Sequence, residues 1–232
     1  MNNVPVITID GPSGTGKGTL ARSLRNILGW NLLDSGSLYR LLGYKALRDH
    51  ISLENEEKLI GMLEAFSPEF VEREGDTKIF LDNADVSSAI RTEEVGSAAS
   101  QIATCPRVRK ALLERQRDFR VSPGLVADGR DMGTVVFPSA ELKIFLTANI
   151  EERVRRRYNQ LKEKGMGVSL AQLRGEVAQR DKRDERREAS PLRPASDAIV
   201  IDTTFDDISA AENRVRELVL KKKFVVSGRG TG

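Results

Sequence analysis

Residues Gly11-Pro12-Ser13-Gly14-Thr15-Gly16-Lys17 place a glycine, four residues, a second glycine and a lysine directly after the β-branched run Val4–Ile9. This is the spacing of a phosphate-binding loop, or P-loop, between a strand and a helix. The glycines let successive backbone N–H groups turn inward on phosphate oxygens, the next helix offers its positive end, and Lys17 adds a mobile cation. Gly18 and then Thr19 follow, so the hydroxyl that usually succeeds the lysine comes one position late. No Asp-x-x-Gly switch and no Asn-Lys-x-Asp base reader occurs in the chain, which excludes a P-loop GTPase. A second constellation is Arg180, Asp184 and Arg187, spaced i, i+4 and i+7, so that one helix would carry all three on one face able to grip one ligand. Arg153 and Arg157 share another i, i+4 face.

The elements that must position these residues follow from the apolar pattern. Val4–Ile9, Trp30–Leu33, Leu125–Ala127, Leu142–Leu146 and Ala198–Ile201 are short apolar runs, mostly separated by helical spacing such as Leu20, Leu24 and Leu28. Five such runs with helical crossovers predict an α/β fold, a doubly wound five-stranded parallel sheet with helices on both faces. The expected division is core at 1–35, an insert with return helices at 36–119, core at 120–150, a helical arginine-rich lid at 151–188, core at 189–220 and a flexible tail at 221–232. Within the insert, Phe70–Arg73 and Lys78–Leu81 read as a hairpin turned through Glu74-Gly75-Asp76. Gly165 and Gly167 mark a break between helices of the lid, which is too polar to serve as core.

Composition narrows the partners. The 232 residues are 39% hydrophobic and 31% charged, enough for one substantial core. No apolar run reaches the ~20 residues of a membrane span, and the start lacks a cleavable leader, so a cytoplasmic protein is expected. One cysteine, Cys105, and one histidine, His50, form neither a disulfide nor a zinc site of the usual ligand count. The net charge of +3 is uneven: residues 151–188 hold +4 and the tail from Lys221 another +4, which leaves −5 elsewhere. A chain only 5% aromatic with its arginines in one mixed-charge stretch fits small polyphosphates better than nucleic acid.

With Asp34-Ser35-Gly36, Tyr39-Arg40, Pro106-Arg107-Val108-Arg109 and Asp128-Gly129-Arg130-Asp131-Met132-Gly133 set beside the P-loop, the chain resembles the bacterial cytidylate kinases from Val4 to about Leu220. The resemblance implies phosphoryl transfer from ATP to CMP or dCMP in a core with a monophosphate-binding insert and an arginine lid. The Gly-Lys-Gly-Thr ending of the loop resembles nucleoside monophosphate kinases in general. It implies that Mg2+ enters with ATP, held by nucleotide oxygens and waters and by no direct protein ligand, with Asp128 placed to hold those waters. A pocket selective for cytosine needs a cationic donor for N3 and O2 and an acceptor for the N4 amino group, which Arg109 and Asp131 supply.

By the same resemblance Ser35 and Ser100 add hydroxyl contacts to the base, while Arg40, Arg130 and Arg187 fork the acceptor phosphate. Arg180 and Asp184 take the ribose hydroxyls, Gly11 to Thr19 cradle ATP, and Arg153 and Arg157 are candidates for its adenine and γ-phosphate. Lys17, Arg130, Arg187 and Asp128 are the expected catalytic set. Arg155, Arg156, Lys182, Arg183 and Glu185 read as a solvated, ion-paired helix surface. ATP and CMP or dCMP are the expected partners of a monomer that binds neither nucleic acid nor membrane. Two other readings stay open on the residues alone, a kinase for UMP or AMP and a non-catalytic P-loop nucleotide or RNA binder.

Overall fold

The computed structural model describes residues 4–73, 76–163, 167–222 and 224 of the chain. Its residues divide into two compact units, Met1–Asp34 with Arg115–Gly232, and Ser35–Glu114.

The first unit is built on strands β1 (Val6–Asp10), β2 (Asn31–Asp34), β6 (Leu125–Gly129), β7 (Leu142–Thr147) and β8 (Ile199–Asp202). They form one sheet in the order β2-β6-β1-β7-β8, every pairing parallel, with helices on both faces. The five expected strands and the doubly wound α/β class are therefore present. Burial follows strand position: β1 is buried along its whole length and β7 nearly so, as strands covered on both faces must be. Edge strand β8 buries only Ile201, leaving Ile199 and Val200 exposed.

Helix α1 (Lys17–Leu28) turns Leu20, Ala21, Leu24 and Leu28 onto the sheet and ends on Gly29, whose left-handed backbone lets its N–H reach the Arg25 carbonyl. Val215 and Val219 of α8 (Ile208–Lys221) join the same core with Ile7, Ile9, Val126 and Ile144. At ~1.5–3 kcal/mol per fully buried aliphatic side chain, this cluster is a large stabilising contribution to the sheet whose strand ends carry the loops.

Helices α6 (Ile150–Glu163) and α7 (Leu170–Arg186) belong to this unit too. Their polar composition suggested no core, yet Val154, Leu161, Leu173 and Val177 bury one another in a small apolar seam of their own. Gly167 lies between the two helices, and Gly165 falls outside the described residues, as does most of the expected tail.

The second unit holds α2 (Ser35–Arg48), α3 (Glu56–Glu64), a three-stranded sheet, α4 (Glu93–Ile102) and most of α5 (Pro106–Arg117). The sheet contains the expected hairpin as β3 (Glu69–Arg73) and β4 (Asp76–Leu81), and residues 74 and 75 of its turn lie outside the described residues. A further strand, β5 (Ala84–Asp85), is added through Asp82 and Asn83, both at positive φ, and no apolar alternation announces it. Helices α2 and α4 meet closely at Gly43, where a Cβ would stand 3.1 Å from the Ala99 backbone nitrogen.

Candidate active site

The phosphate loop leaves the carboxyl end of β1, where an open parallel sheet gathers its ligands. Gly11 has φ 145°, and a Cβ there would come 2.1 Å from the Leu146 carbonyl oxygen, so backbone conformation and space both demand glycine. Lys17 begins α1, is only 6% exposed, and donates from Nζ to the Pro12 carbonyl at 2.8 Å. Thr15 closes the loop by donating its hydroxyl to the same oxygen at 3.1 Å. Burial, helped by the nearby Arg130 cation, pushes the Lys17 ammonium well below its ordinary value. Asp128 and Asp10 pull the other way without offsetting this, and an anion in the loop would add counter-charge.

Asp128 lies near the end of β6, and burial pushes its carboxyl up against the opposing pull of Lys17. A Cβ placed on Gly18 would lie 3.4 Å from Asp128 Oδ2, so this carboxylate faces the position where other P-loop proteins carry their hydroxyl ligand. An acceptor-only donor set beside a phosphate loop suits a hydrated hard cation. No group of three or more His, Cys, Asp or Glu side chains fit to hold a metal directly occurs among the described residues.

Arg130 follows β6 and donates from Nε to Asp184 Oδ2 at 2.9 Å, in a pair whose side chains are 18% and 5% exposed. Burial alone would raise the Asp184 carboxyl, but Arg130, Arg187 and Arg180 overcome it and hold the group below its ordinary value. The Arg180 cation also bears on Lys17. Lys17, Asp128, Arg130, Arg180, Asp184 and Arg187 thus form one electrostatic cluster in the first unit. Arg187 departs from the expected helical face: α7 ends at Arg186, and Arg187 is its C-cap, buried, at φ −58° and ψ 129°, donating from Nε to the Asp184 carbonyl at 3.3 Å. Asp131 is buried at the head of a π-helical turn, Met132–Val136.

The two α6 arginines proposed for ATP fare differently. Arg153 is buried and spends its guanidinium on the protein: Nε on the Ala148 carbonyl, one terminal nitrogen on the Ser13 carbonyl at 3.2 Å, and both terminal nitrogens on Asp181 at 3.0 and 2.6 Å. It ties the P-loop to α7, which is a fastening and not an open ligand position. Arg157 lies half-buried on the same helix.

Arg156, read as solvated surface, is corrected. Besides pairing with Glu152, it donates to Thr203 Oγ1 at 3.1 Å and to the Thr203 and Asp206 carbonyls. Thr203 in turn donates to the Thr15 carbonyl at 3.2 Å. These contacts shape a cavity of about 580 Å³ beside the loop, lined by Thr15, Thr19, Leu146, Arg156, Asn159 and Asp206 among others. Such a volume is within the range of small-ligand sites.

In the second unit, Ser35 starts α2 and is buried. Arg40 donates to the Ile90 carbonyl at 2.8 Å, with its guanidinium against Gly96. Ser100 sits buried on α4, and its Oγ has no hydrogen-bond partner among the described residues. A buried hydroxyl without a partner is costly unless a ligand satisfies it. Arg109 of α5 is buried over the Tyr39 ring, 5.7 Å from its centroid, and donates to the Ala103 carbonyl at 3.2 Å.

Sequence reasoning passed over Asp10 and Thr203 and misread Arg156 as solvated surface. Asp10 carried a signal: a carboxylate closing a strand buried along its whole length must find buried partners. Thr203 carried none.

The family description that matches this chain is cytidylate kinase, over residues 7–224. Proteins bearing that name include one from Colwellia psychrerythraea, 53% identical over 93% of this chain and 96% of its own. Another, from Pseudomonas fluorescens, is 56% identical over 93% and 95% respectively. A third, from Pseudomonas aeruginosa, is 56% identical over 89% and 91%.

Proposed function

The chain belongs to the cytidylate kinase family, and we infer from this that it transfers the γ-phosphoryl group of ATP to CMP or dCMP, giving ADP and CDP or dCDP. The observation that carries the reading to individual residues is the charge cluster at the P-loop: four cations and two carboxylates, beside a buried lysine whose nearby carboxylates do not offset its burial and the Arg130 cation.

A phosphate oxygen of CMP attacks the γ-phosphorus, and the bond to the β,γ-bridging oxygen breaks as the new P–O bond forms. The acceptor phosphate is itself the nucleophile, so no serine, cysteine or histidine is needed. Lys17 follows the transferred group, while Arg130 and Arg187 neutralise the acceptor phosphate and aim its oxygen. Magnesium bound with ATP supplies charge neutralisation at the phosphate oxygens. Asp128 would hold its waters, opposite Gly18, which has no hydroxyl to offer.

Arg109 and Asp131 read the cytosine, with Asp131 accepting from N4. Ser35 and Ser100 add hydroxyl contacts, the Ser100 assignment supported by its buried Oγ. Arg40 joins the phosphate forks, and Arg180 and Asp184 take the ribose hydroxyls. The cavity beside Thr15 and Thr19 suits the rest of ATP, with Arg156 shaping it and Arg157 near its helix. Arg153 reaches ATP only by giving up Asp181. We further propose that α6 and α7 act as a lid, and that the enzyme is a cytoplasmic monomer working on free nucleotides. The deciding experiment is ADP release measured with CMP, dCMP, UMP and AMP. Turnover that ignores the base would overturn the acceptor assignment, and absent turnover the kinase reading.

A further inference from the structure

The turn at Met132–Val136 has an unusual cap. Any helical turn begins with N–H groups that no earlier carbonyl can take. An aspartate at the N-cap ordinarily accepts one of them through its own carboxylate. Asp131 occupies that position, at φ −140° and ψ 23°, yet its side chain makes no capping hydrogen bond. Its carbonyl accepts from Val135 and Val136 instead, at 2.9 and 3.2 Å.

The capping is done from outside the turn. Asp10 Oδ1 accepts from the Met132 amide and Oδ2 from the Gly133 amide, both at 2.8 Å, across separations of 122 and 123 residues. Strand pairing arranges this, because Asp10 is in register with Gly129 and its carboxylate therefore meets the chain as it leaves β6. Both oxygens are committed to consecutive amides, which restrains the peptide planes immediately after Asp131. Asp131 is thus not needed as its own cap.

We propose that Asp10 is a positioning residue for base selection, holding the backbone at Asp131 so that the Asp131 carboxylate is presented to cytosine instead of folding back onto its own turn. The proposal rests on the reading of Asp131 given above. Asp10 touches no substrate in this scheme. It also bears electrostatically on Lys17, so ATP binding must be followed separately.

Asp10→Asn keeps the shape of the side chain but turns an NH2 group toward one of the two amides. kcat/KM for CMP and UMP, KM for ATP and the melting temperature would be measured in this variant, in Asp131→Ala, and in the double variant. The expected result is a CMP/UMP ratio at least tenfold lower in Asp10→Asn, an ATP KM within threefold of the parent, and no further fall in the ratio when the change is added to Asp131→Ala. An unchanged ratio in a folded Asp10→Asn protein overturns the proposal, as does an equal fall in the Asp131→Ala background. A parent enzyme that uses CMP and UMP alike overturns the Asp131 reading itself, and this proposal with it, before any variant is compared. Should Asp10→Asn not fold, the side-chain 13C resonance of Asp10 in the unmutated protein decides. It should shift when CMP is added, and a resonance that stays in place overturns the proposal.

Discussion

Asp184→Asn removes one negative charge from the centre of the cation cluster while keeping shape and one acceptor. In the parent, Asp184 answers Arg130 at 2.9 Å and faces Arg180 and Arg187 from a side chain only 5% exposed. Taking one partner from a buried pair typically costs about 3–5 kcal/mol, because the remaining charge is left uncompensated. The asparagine oxygen still accepts from Arg130, so the lower end, ~3 kcal/mol, is the expected loss. For a chain of this length that amounts to about 6–12 °C in melting temperature. An anion bound among the same arginines should replace the missing charge. The assay is thermal melting of both proteins across a tripolyphosphate titration, a probe with neither base nor ribose. The deficit should be largest without the anion and shrink by more than half at saturation. Because the arginines hold the Asp184 carboxyl below 3.8, its stabilisation is present above that pH and lost as pH falls through the lower folded value, so the two proteins should converge in acid. A deficit under 2 °C, or one indifferent to tripolyphosphate, would refute the reasoning.

Lys17→Ala should lower kcat by on the order of 10²-fold or more and leave CMP affinity within threefold, checked by steady-state kinetics and calorimetry. Arg187→Lys should not restore activity lost in Arg187→Ala, since lysine keeps the charge without the planar fork, and kinetics on the pair tests this. CMP should exceed UMP by about 10² to 10⁴ in kcat/KM, as two buried mismatches imply, and Asp131→Ala should lower CMP turnover far more than UMP turnover. Burial raises the Asp10 carboxyl from 3.8 to about 7, against the pull of its two amide donors. Its contribution is therefore full below pH 3.8 and lost as pH rises through 7, by up to ~4 kcal/mol. Urea melts at pH 5 and 8 should show about 2–3 kcal/mol of that loss in the parent and none of it in Asp10→Asn.

The P-loop and the five sheet strands were legible in the chain because their causes are local. Glycine spacing around Lys17 is a feature of the local chain, and β1 and β7, covered on both faces, are buried nearly throughout and carry mostly apolar residues. Edge strand β5 was not legible, since two exposed residues in an antiparallel pairing leave no periodicity to read. The candidate site divides in the same way. Residue types and spacing, together with the family resemblance, singled out Asp128, Arg130, Asp131, Asp184 and Arg187, but whether a given arginine is a ligand or a fastening depends on what faces it.

Arg153 and Arg156 stand three residues apart on one helix with like neighbours. Only the fold gives Arg153 the Ser13 carbonyl and Asp181, and gives Arg156 the loop from Thr203 to Asp206. Arg187 shared a helical face on paper and became a C-cap because α7 stops one residue earlier. Asp10 shows the limit most clearly. Its carboxylate is visible in the chain as a misfit at the end of a buried strand. The two amides that accommodate it lie more than 120 residues away and are brought to it by parallel pairing of β1 with β6, a long-range contact that no local pattern encodes.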